Sequence, residues 1–169
     1  MSEVHLTALD LGNPMALSDL ADKINQLTKQ KVKVGWFENM KYPDTLEPVA
    51  QVAMKNEFGI GVPARPFMRP AIVDNKQKWG TSAIIQAKNF VNDRIDKSGV
   101  YDGIGSIMIA DIQEAIIAVQ EPPLAASTIE KRRARYNMTA SEPTPVTLTK
   151  PLIDTGKMIA SVSMQVTDA

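Results

Sequence analysis

The sequence predicts an α+β fold, a small mostly antiparallel sheet flanked by helices, on three observations. Two short segments, residues 31–37 near the beginning and 157–166 near the end, alternate polar and apolar side chains as half-buried strands do. Between them, several stretches repeat apolar residues at helical spacing. Proline, glycine and threonine clusters punctuate the chain, and neither an internal repeat nor a sustained heptad emerges. The 169 residues suffice for one domain with a real core, expected over 18–169, with an arm over 1–17.

Taken in order, residues 1–17 have no sustained period and contain the turn Gly12-Asn13-Pro14, so an extended N-terminal arm that orders on a partner is expected. Ser18 reads as an N-cap with Asp19 and Asp22 behind it, and Leu20, Ile24 and Leu27 carry a first helix to about Gln30. The strand over 31–37 follows, its lysines suited to a sheet edge. Tyr42-Pro43-Asp44 and Glu47-Pro48 predict a loop or hairpin tip over 39–48. A second helix fits Val49 to Phe58, with Pro48 at its start and Gly59 as its stop.

Residues 56–70, NEFGIGVPARPFMRP, are the most distinctive stretch. Each proline fixes its own φ and biases the residue before it toward extended backbone, so Val62, Arg65 and Arg69 are expected to be extended. A stiff connector then displays Arg65, Phe67 and Arg69. Two readings stand side by side: these three lie at a subunit boundary, or Phe67 is core and the arginines solvate the connector.

A third helix is predicted from about Asp74 to Lys97, with Ala83, Ala87, Val91 and Ile95 on one face and Gly80 as a weak point. A fourth runs from about Ile104 to Gln120. Its stripe of Ile104, Met108, Ile112, Ala115 and Val119 is widened by Ile107, Ile109, Ile116 and Ile117, which predicts burial on most sides. Glu121-Pro122-Pro123 ends it. A short helix from Leu124 to about Arg135 closes in the basic cluster Lys131, Arg132, Arg133 and Arg135. Residues 137–150 form a Thr/Pro-rich loop, a candidate for ordering on assembly, and Pro151 to Gly156 turn into the closing strand.

Composition limits the function classes. Lys+Arg and Asp+Glu both number 19, so no global field steers the chain toward nucleic acid or membrane. Cysteine is absent, which excludes disulfides, thiolate zinc sites and cysteine nucleophiles and suits a reducing cytoplasm. Neither a basic leader nor an apolar run of membrane-spanning length is evident, so an unsecreted, soluble protein without a membrane partner is expected.

Candidate chemistry is sparse. His5 is the only histidine and sits in the arm, so any triad or imidazole base depends on it alone. Asp19/Asp22 and Asp93/Asp96 are three apart and are read as pairs sharing a helix face; a helix start and a solvated face explain them better than a metal or an acid–base pair. Gly59-Ile60-Gly61 lacks the third glycine and flanking elements of a phosphate loop. Lys131, Arg132, Arg133 and Arg135 form a possible DNA-facing or partner-facing patch, with a solvated helix face as the plainer reading. Trp36 and Trp79 read as buried anchors and the nine methionines as core fillers. The expectation is no enzyme, no cofactor and no metal.

Four blocks, VAMKNEFG at 52–59, VPARPFMRPAI at 62–72, PLAASTI at 123–129 and PLIDTG at 151–156, resemble in order and rough spacing the neck and tail-completion (head–tail joining) proteins of long-tailed bacteriophages. The match runs from about Val49 to Val166 and leaves out the arm. The resemblance implies a non-enzymatic virion protein of the neck or tail, assembled in the host cytoplasm as a ring, usually six-fold. Such a ring binds head connector or stopper proteins on one side and tail tube or terminator proteins on the other. DNA passes through its lumen without being read. A tail terminator or minor tail protein that controls tail length is the alternative, and a nucleic-acid-binding module using the basic cluster is a third reading.

Overall fold

The computed structural model describes residues 17–139 and 146–169. The order is α1 (Leu17–Thr28), β1 (Gln30–Gly35), α2 (Val49–Phe58), α3 (Met68–Val91), α4 (Lys97–Ala118), α5 (Ala126–Arg135), α6 (Val146–Thr149), α7 (Lys157–Ala160) and β2 (Ser163–Asp168). This is a small α+β fold in which a two-stranded antiparallel sheet is flanked by helices. The sheet joins the two ends of the described chain, from Gln30 opposite Asp168 to Gly35 opposite Ser163. The arm, His5 and residues 140–145 of the Thr/Pro loop lie outside the described residues.

A pair of strands alone is marginal in water, so this sheet depends on a helix laid against it. α4 supplies that support. A Cβ on Gly105 would stand 2.1 Å from Met164 Sδ, so the glycine lets β2 settle close to the helix. Val34 and Met164 are paired across the strands, and Val34 packs into the core. That core gathers Val49 and Ala53 of α2, Phe67, Ala71 of α3, Ile112 and Ile116 of α4, Met158 of α7 and Val162. Burying a side chain of this size contributes roughly 1.5–3 kcal/mol.

α2 has the bounds its sequence predicts, and Gly59 ends it in the left-handed conformation at φ 73° with its N–H on the Lys55 carbonyl. The segment before it is a hairpin: Lys41 bridges Pro48, Tyr42 N–H donates to the Glu47 carbonyl at 2.9 Å and Val49 N–H to the Met40 carbonyl at 2.8 Å. α3 differs from expectation at both ends. It begins at Met68, because Pro70 falls in the first turn, where backbone N–H groups have no intrahelical acceptor to lose. Arg69 is therefore helical rather than extended. At the other end α3 stops at Val91, so Asp93 and Asp96 do not share a helix face. Asp93 turns the chain at φ 55° and pairs with Lys23 at 2.6 Å. Asp96 caps α4, accepting from Gly99 N–H at 2.8 Å, and that bond first, then Ser98, holds its carboxyl below the ordinary value.

α4 is not buried on most sides. Val100, Tyr101, Gly105, Asp111, Ile112 and Ile116 are covered, while Ile117 is exposed and Ile104, Ile107, Met108 and Ile109 are half-covered. One long helix and two strands do not supply enough surface to wrap it. Buried Asp111 is satisfied from α3, by Lys78 Nζ at 2.6 Å and Trp79 Nε1 at 2.7 Å. The closing strand is shorter than the alternation suggests, because residues 157–160 form α7 first.

Candidate functional site

The segments that hold the four motif blocks are tied together by three side chains, Glu57 and Arg65 within the blocks and Arg132 three residues past the third. The first link is Glu57, near the end of α2. Its carboxylate takes the N–H groups of Phe67 at 2.7 Å, Met68 at 2.9 Å and Arg69 at 3.2 Å, and Arg69 Nε at 2.8 Å. Arg69 Nη2 returns to the Glu57 carbonyl at 3.0 Å. An anion on the unsatisfied N–H groups of a helix start is favourable by both charge and hydrogen bonding. Burial alone would raise the Glu57 carboxyl, but the Arg69 guanidinium and the three N–H groups outweigh it and hold it below its ordinary 4.5.

Arg65 is the second link. Its guanidinium is buried and donates to the carbonyls of Pro122 at 2.8 Å and Pro123 at 3.0 Å, which fixes the connector against the segment leading into α5. Phe67 is 1 % exposed and meets Trp36 edge-on at 5.7 Å, while Trp36 Nε1 donates to the Met158 carbonyl at 2.8 Å. Of the three residues expected on display, Phe67 and Arg65 are thus engaged inside the chain. Arg69 alone remains exposed, stacked 5.0 Å over the Phe58 ring.

The third link is Arg132 on α5. It is buried, and its Nη1 donates to the carbonyls of Leu148, Lys150 and Ile153 at 3.1, 2.9 and 2.9 Å. Desolvation lowers its pKa, and Asp154 partly offsets this. Leu152, between those carbonyls, holds a left-handed φ of 61°, which costs of order 1–2 kcal/mol for such a residue. Arg132 is the clamp that keeps that turn. Arg135 pairs with Asp154, and Tyr136 Oη donates to the Asp154 carbonyl at 3.1 Å. Asp154 Oδ1 is enclosed, takes no hydrogen bond among the described residues and lies 3.5 Å from Arg132 Nε.

The basic cluster therefore does not act as one free patch. Arg132 is inside, Arg133 donates to the Thr139 carbonyl at 2.8 Å, Arg135 holds Asp154, and Lys131 is exposed. Sequence reading missed these roles because basic spacing alone does not reveal a carbonyl-rich turn some twenty residues on.

Around these links opens a cleft of about 630 Å³, walled by the 42–47 hairpin, the connector at Val62 and Pro63, the start of α5 and the 152–157 turn. Glu47 is tied to Lys55 at 2.5 Å, and burial, then the charges of Asp154 and Glu47, raise the Tyr42 hydroxyl, which stays neutral at physiological pH. Among the described residues, acidic and histidine side chains do not gather as a metal would need, and no helix is long and apolar enough to cross a membrane. Compared with known proteins, the chain matches no family model, no curated protein and no solved structure.

Proposed function

We propose that the chain is a structural subunit of a bacteriophage neck or tail, completing the tail and joining it to the head connector as a ring around an axial DNA passage. One observation carries this reading: the four blocks whose order resembles the neck and tail-completion proteins are physically linked. Glu57 joins the first to the second, Arg65 joins the second to Pro123 at the start of the third, and Arg132, on the helix that continues the third beyond Ile129, reaches Ile153 in the fourth. The contacts support the reading that the four blocks form one structural unit. A second support is the apolar surface left uncovered, which includes Phe58, Ile60, Val73, Ile84 and Ile85 and suits a subunit completed by its neighbours.

The partners on this reading are further copies of the chain, a connector or stopper ring and the tail tube or terminator. DNA in the lumen is contacted without sequence readout. Deletion of the coding sequence from the phage tests it: filled heads and finished tails that fail to join are expected in electron micrographs. Overlong tails would transfer the chain to the terminator reading, and normal virions would remove it from the neck altogether.

A further inference from the structure

We infer that the outer face of α3 receives the 42–47 hairpin tip of a second copy, with Leu46 seated over Gly80. The ring it would close rests on the function proposed above, but the contact can be tested without it.

The receiving face is defined by helical geometry. α3 turns Ala71, Ser82 and Phe90 inward. On its opposite side Val73, Gln77, Gly80, Ile84 and Lys88 follow one another at spacings of four, three, four and four, a continuous stripe. Val73 is 63 % exposed and Ile84 59 %. Gly80 lies between them, and a Cβ there would meet nothing within 4 Å. A glycine in a helix interior costs about 0.5–1 kcal/mol against alanine. Among the described residues, neither backbone conformation nor packing requires it. What the missing side chain leaves is a notch edged by Ile84 on one side and Gln77 on the other, with Val73 a further turn away and the exposed cations Lys76 and Lys88 nearby.

The occupant follows from shape and charge. Leu46 is 70 % exposed and held at φ 57°. A leucine in the left-handed region costs about 1–2 kcal/mol, and here the side chain it presents stands in water. Its position is imposed by the hairpin, through Leu46 N–H on the Tyr42 carbonyl at 2.9 Å. Asp44 stands exposed beside it, while Glu47 on its other side is held by Lys55, so the tip is an apolar knob next to one exposed carboxylate. The α3 face is a notch against Ile84 with the ammonium groups of Lys76 and Lys88 nearby. Knob and notch lie on different elements, so the contact is head-to-tail and propagates from copy to copy, closing into a ring when the rotation permits.

The test uses two variants that spare the monomer. Leu46→Gly relieves the left-handed residue, and Gly80→Leu fills open space on a helix. Each is expected to weaken self-association at least tenfold in sedimentation equilibrium with the unfolding midpoint of the monomer undiminished. Because the chain has no cysteine, Leu46→Cys and Gly80→Cys proteins carry single thiols, and an equimolar mixture should form the mixed disulfide under mild oxidant. Lys76→Glu is expected to weaken association and Asp44→Lys to restore it. A wild-type chain monomeric at about 1 mM, or association indifferent to both variants, overturns the inference. Rings that form without the mixed disulfide overturn this contact and leave the neck reading standing. Normal virions after deletion remove the neck reading and leave the contact standing.

Discussion

Two regions of one helix differ in almost every respect. At its first turn, α3 is fastened: Glu57 fills the helix start, Arg69 closes over Glu57, and Phe67 is sealed against Trp36. Three turns further on, the outer face of the same helix carries Val73, Gly80 and Ile84 with none of the described residues laid over Gly80. The first region is conspicuous in sequence and committed to folding. The second is plain in sequence and leaves apolar surface in water. Distinctive residues marked the place where the fold is difficult to make, whereas the free surface lay on an ordinary helix.

The strongest way to break that contrast is Phe67→Ala. As a core side chain next to Ile112, Ile116 and Val49, Phe67 should cost about 4 kcal/mol on truncation, read as a lower midpoint in denaturant at unchanged slope. A loss below about 1 kcal/mol would place it outside the core and return it to the subunit-boundary reading.

Glu57→Ala comes next. It leaves three backbone N–H groups without their acceptor and Arg69 without its partner, and about 3 kcal/mol of destabilisation is expected. Glu57→Gln keeps one acceptor and should recover part of this. If both variants unfold like the wild type, the helix start is satisfied by water and the first region is no more fastened than the second.

A smaller effect is expected from pH. The folded Glu57 carboxyl lies below its ordinary 4.5, so its contribution is present above that value and is lost as pH falls through the folded pKa. Wild-type stability should therefore fall in acid below about 4.5, and part of that slope should vanish in Glu57→Gln. An identical slope in the two proteins would assign the acid sensitivity to other carboxylates.

Much of the fold was legible because local rules governed it. Val49–Phe58 was bounded by Pro48 and Gly59, and alternation marked the two strands. What escaped was set by distant contacts. Pro70 and the residue before it argue against helix locally, yet Glu57 holds Arg69 N–H and α3 starts at Met68. Arg132 reads as one of four surface cations, and only the folded turn at 148–153 supplies the three carbonyls that draw it inside. The apolar width of α4 was visible, but how little of the chain would cover it was not. Gly80 was read as a weak point in a helix, which it is; its neighbours on the outer stripe became meaningful only once the inward face was known.

The smallest expected effect sharpens the contrast most. Ile84→Lys places a charge in the middle of a 24-residue helix, where a fastened position would lose several kcal/mol. On the outer face the lysine reaches water at once and its stem covers the backbone as well as isoleucine did, so stability should stay within about 0.5 kcal/mol of wild type. Lysine also forms helix at least as readily as isoleucine, which removes propensity as a hidden cost. A loss above about 1.5 kcal/mol would mean that the chain itself covers this face, and that α3 is fastened along its whole length.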